Sequence, residues 1–222
     1  AFVKVAATFI LVIFLSVILS LSAYKKFKKL KIYAVFLSWM SLVMPTIAFL
    51  MAPFMLALSK PIIVYLFFVS SSILVSVGCY FAMKKYGTSM VVLWICATTL
   101  TVQIVDIIFS GNLQLNSLFG YSAIIAGRFA GFGNLAFSIV AISSVVLVAM
   151  IKQLSRTRPY LNKKWVNIAI LAMLIFVLIM DGLPYFGSDV GGVLSLTPMV
   201  FIVGLMMYEK RLSIKTIIYA LL

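Results

Sequence analysis

Apolar runs of about 20 residues recur along the whole chain with only short connections between them, and this spacing leaves few folds open. As a helix, a run of that length rises about 30 Å, enough to cross the hydrocarbon core of a bilayer. A lipid-exposed backbone must satisfy its own hydrogen bonds, so helices are the default for such runs. A β-barrel would instead alternate apolar and polar residues in segments of about 10, and these runs are apolar throughout. With 65% hydrophobic and 10% charged residues among 222, the chain lacks the polar side chains to cover a water-soluble surface.

The pattern predicts an all-α polytopic membrane protein in a single transmembrane domain. Seven spans are expected over residues 5–23, 32–51, 61–83, 89–109, 135–151, 165–180 and 193–208. Residues 213–222 read as the start of an eighth helix, too short to cross. The segment 52–60, with Pro53, reads as a short connection. Two glycine-rich stretches, 110–134 and 181–192, read as re-entrant or interfacial segments.

Charge orients this arrangement. Fifteen of the 18 Lys and Arg residues fall in clusters after the first, third, fifth and seventh spans, and only Lys4, Lys60 and Arg128 lie elsewhere. Such clusters mark the cytoplasmic side. The N-terminus and both glycine-rich stretches are then expected on the extracytoplasmic side of an inner (plasma) membrane. The net charge of +14 therefore points to anionic lipid headgroups rather than to nucleic acid. The chain begins at Ala1 and enters its first span from outside without a cleavable-signal pattern. We therefore expect an N-terminal extracytoplasmic domain to precede it, making the chain part of a larger polypeptide.

There is no histidine, which removes histidine-ligated haem and His-based zinc, and no cofactor or metal is expected. Cys79 and Cys96 lie inside apolar runs and read as small buried hydrophobes. Charges inside or beside spans are expensive and become functional candidates by default. Of the four acids, Glu209 falls among basic residues, whereas Asp106, Asp181 and Asp189 map to the outer side with Arg128. Ile104-Val105-Asp106 and Ile179-Met180-Asp181 each end a span with an acid before a glycine-bearing loop.

The candidate ligand-binding residues are Arg128, Asp106, Asn112, Asn116, Tyr121, Asn134, Asp181 and Asp189. The Arg128 guanidinium offers a planar fork suited to phosphate or carboxylate. Asn134 is placed to cap the fifth span and Asp189 the seventh, which would turn helix N-termini toward an anion. Two other readings stand beside this one. Arg128 pairs with the acids only to hold helix ends together, or the asparagines and Tyr121 serve as caps and headgroup contacts. Gly127-x-x-x-Gly131 suggests close helix packing.

The runs Leu118-Phe119-Gly120-Tyr121-Ser122, Ala126-Gly127-Arg128-Phe129 and Gly133-Asn134 are followed by Asp181-Gly182-x-Pro184 and Gly187-x-Asp189-x-Gly191-Gly192. With these features the chain resembles the C-terminal multi-span membrane domain of poorly characterised bacterial proteins that carry an alkaline-phosphatase-like ectodomain. The resemblance implies an N-terminus that starts outside, and it places any phosphatase chemistry in a part outside this chain. Arg128-x-x-Gly131-x-x-Asn134 is also similar to the outer-loop arginine motif of O-antigen ligases, without their Asn-Pro-Asn. That similarity implies phosphate-bearing lipids.

The expected function is the membrane domain of a bacterial cell-envelope protein that binds or presents an anionic, phosphate-bearing lipid or glycan carrier at the outer leaflet. The alternatives are a transporter or its membrane subunit, with the glycine-rich stretches as broken helices, and a structural anchor subunit of a larger complex. Membrane lipids and other subunits are the expected partners.

Overall fold

The structure, a computed structural model, describes residues 2–25, 28–57, 60–120, 131–158 and 160–207. Within them lie seven helices long and apolar enough to cross a membrane. They are α1 (Phe2–Lys25), α2 (Lys31–Leu50), α4 (Pro61–Tyr86), α5 (Thr88–Ile108), α7 (Asn134–Thr157), α8 (Lys163–Gly182) and α9 (Val190–Met207). Two short helices, α3 (Ala52–Ala57) and α6 (Asn112–Asn116), lie in the connections, and a 3₁₀ turn (Lys28–Leu30) precedes α2. The described residues contain no strand. All seven expected spans are present as helices.

Local chemistry sets the boundaries. Pro61 opens α4, where its missing N–H costs nothing, and Gly87 closes it at φ +86, a left-handed position past Lys84 and Lys85. The Asn162 side chain accepts the Lys164 N–H (2.9 Å) and caps α8. One connection differs from the sequence reading: 52–60 holds the helix α3, and the Phe54 ring packs on Phe67 of α4 at 5.7 Å. An expected eighth helix at 213–222 lies outside the described residues, as do residues 121–130 of the first glycine-rich stretch.

Lipid tails give little hydrophobic drive for helix association, so hydroxyl pairs and close packing carry it. Ser16 bonds Ser38 between α1 and α2 (2.9 Å), Thr8 bonds Tyr65 between α1 and α4 (2.9 Å), and Thr46 bonds Thr99 between α2 and α5 (2.5 Å). Each such pair contributes about 0.6 kcal/mol on average. Asn167 of α8 accepts from Lys152 Nζ of α7 (2.8 Å) and donates to the Met207 carbonyl of α9 (3.1 Å). The main core gathers Met44 and Phe49 from α2, Phe68 from α4, Leu100 from α5 and Val140 from α7. α2 and α5 are the most buried of the seven helices, and α1 and α9 are the least. Cys79 is half-buried and Cys96 buried, and both are free thiols.

The helix ends sort into two sets. Phe9, near the start of α1, packs on Phe119 at 5.7 Å, and the Leu118 N–H reaches the Ala48 carbonyl near the end of α2 (3.3 Å). The Phe132 N–H, just before α7, donates to the Gly187 carbonyl between α8 and α9 (2.8 Å). The first end of α1, the last ends of α2, α5 and α8, and the first ends of α7 and α9 therefore share one end of the bundle. Lys29, Lys31, Lys84, Lys85, Lys152, Lys163 and Lys164 lie at the opposite set of helix ends.

Candidate functional site

The glycine-rich end is built outward from Asp106. α5 closes in a Schellman turn: Ser110 takes φ +72, the Gly111 N–H donates to the Asp106 carbonyl (2.8 Å), and the Ser110 N–H donates to that of Ile107 (3.4 Å). Gly111, also left-handed at φ +67, then turns the chain back into α6. The Asp106 carboxylate, 5% exposed, accepts the Leu113 N–H on Oδ1 (2.7 Å) and the Gln114 N–H on Oδ2 (2.9 Å). Both are N–H groups of the first turn of a helix, which have no partner within it. A carboxylate there is favoured by charge as well as by hydrogen bonding.

From α6 the Gln114 side chain continues the network. It is 2% exposed, and its amide uses both ends: Nε2 donates to the Gly131 carbonyl (2.7 Å), and Oε1 accepts the Gly133 N–H (3.1 Å). The backbone on the far side of residues 121–130 is thereby clamped to α6. Leu118, Phe119 and Phe132 are buried in the main core, so these three side chains help close the end of the bundle.

The second stretch is braced against the first. Gly131, at φ +84, lies so close to the Gly187 carbonyl that a Cβ would sit 2.0 Å from its oxygen. The strap after α8 folds back on its own helix end: the Gly187 N–H donates to Met180 (2.9 Å) and the Asp189 N–H to the Asp181 carbonyl (3.0 Å). Asp181 is fully buried. Gly192 packs directly on its carboxylate, where a Cβ would meet Oδ2 at 2.2 Å. Asp189, 6% exposed, precedes α9, and its carbonyl accepts the Val193 N–H (3.0 Å), the first bond of that helix.

Asp106, Asp181 and Asp189 are thus brought into one hydrogen-bonded platform. Arg128 and Tyr121 lie outside the described residues. Asn112 and Asn116 are exposed and make local bonds, Asn112 Nδ2 to the Phe109 carbonyl (3.2 Å) and Asn116 Nδ2 to that of Asn112 (3.1 Å). Asn134 does not cap α7. The capping position falls on Gly133, whose N–H is taken by Gln114, while Asn134 is exposed as the first helical residue. Among the described residues no group of three or more Cys, Asp or Glu is placed to hold a metal ion.

Sequence reasoning passed over Gln114. The available signal was a single amide between Leu113 and Leu115 in an apolar stretch, a group that must find both a donor and an acceptor once buried. Gln103, one turn before Asp106 and 1% exposed, was also passed over; its Oε1 has no partner among the described residues.

Fold and site together define the class, a multi-pass helical protein of the membrane type with a braced polar platform at one end of the bundle. Comparison with known proteins adds no relative: no protein-family model, curated protein or solved structure matches the chain.

Proposed function

We propose that this chain is the membrane domain of a bacterial cell-envelope protein and that its glycine-rich end binds or presents an anionic, phosphate-bearing lipid or glycan carrier at the outer leaflet. Arg128 supplies the phosphate contact, and Asp181 and Asp189 orient that guanidinium or an accompanying cation. One observation supports the reading most: the segment carrying Arg128 joins Gly120 to Gly131, and both flanks are fixed on the platform that holds the buried carboxylates of Asp181 and Asp189. A guanidinium presents a planar fork suited to bidentate phosphate recognition. Asp106 serves the platform rather than the ligand, because both of its oxygens already accept backbone N–H groups.

The test is titration of the purified protein with a long-chain isoprenyl phosphate in detergent. Arg128→Ala is expected to weaken binding roughly tenfold or more, about 1.4 kcal/mol or above, with an unchanged thermal midpoint, and Arg128→Lys to retain part of the affinity. Equal affinity in a normally folded Arg128→Ala protein would sink the proposal.

A second reading, a structural anchor subunit, is favoured by a separate observation. Gly131, Gly187 and Gly192 are each filled by a neighbouring part of the chain itself. On that reading the platform only locks α5, α7, α8 and α9 together, and isoprenyl phosphate does not bind at all.

A further inference from the structure

We draw no further inference here: the strongest candidate, the groove of about 360 Å³ between α5 and α8 below the glycine-rich end, floored by Leu147 of α7, carries nothing, because its lining is apolar but for Thr101 and nothing in the structure shows what covers it.

Discussion

At the glycine-rich end of the bundle, polar groups are engaged by the protein's own backbone. At the basic end, a mostly apolar cavity lies beside a buried polar group that no main-chain partner engages among the described residues. Asp106 and Gln114 use every oxygen and nitrogen of their side chains on main-chain partners up to 19 residues away. Trp39 lines an open volume with its N–H unpartnered among the described residues. One end is braced, and the other leaves a buried donor unmatched among the described residues. The contrast teaches that a polar residue in an apolar helix carries no fixed meaning. What decides its role is whether the surrounding backbone has donors and acceptors left to match it.

Three substitutions would break or sharpen that contrast. The largest effect is expected from Gly131→Ala. A Cβ there meets the Gly187 backbone, which cannot swing aside, at a φ of +84 that side chains seldom adopt. We expect a loss of about 3 kcal/mol or more, read as a fall of roughly 6–12 °C in the thermal midpoint in detergent. An unchanged midpoint would show that the two straps are not braced against each other. Gln114→Leu comes next. It keeps the apolar bulk but strands the Gly131 carbonyl and the Gly133 N–H, for a loss of about 2 kcal/mol. Hydrogen exchange checks the cause, since the Gly133 amide should lose protection well before the amides of α5. Trp39→Phe at the opposite end should cost least, about 1 kcal/mol or less, because removing an unpartnered buried donor offsets the lost ring area. A loss matching that of Gln114→Leu would mean that the indole N–H is satisfied within the protein and that the two ends are alike.

Much of the helical frame was legible in the sequence, because hydropathy over about 20 residues integrates many weak preferences into one strong signal. α3 and α6 were not, since five or six residues carry too little periodicity to separate a helical turn from a loop. The three acids of the platform stood out because a charge beside a span is rare. Their roles were less legible. Asp106 is defined by two N–H groups that reach it only after Ser110 and Gly111 have reversed the chain. Gln114 gains its role from residues 17 and 19 positions further on, a meeting that no local pattern encodes. Asn134 was read as a cap because asparagine favours that position. In the fold Gly133 holds the position instead, with extended backbone and its N–H donated to Gln114.

The Asn167 amide has a consequence for how the protein is made. Translation delivers Lys152 first, then Asn167, and Met207 only 40 residues later, so the bond to the Met207 carbonyl closes last. A slip of α9 by one residue would move that carbonyl about 1.5 Å along the axis and swing it about 100° around it. Asn167 therefore acts as a depth gauge for the final helix, registering whether the chain has been threaded into the bilayer to its full extent.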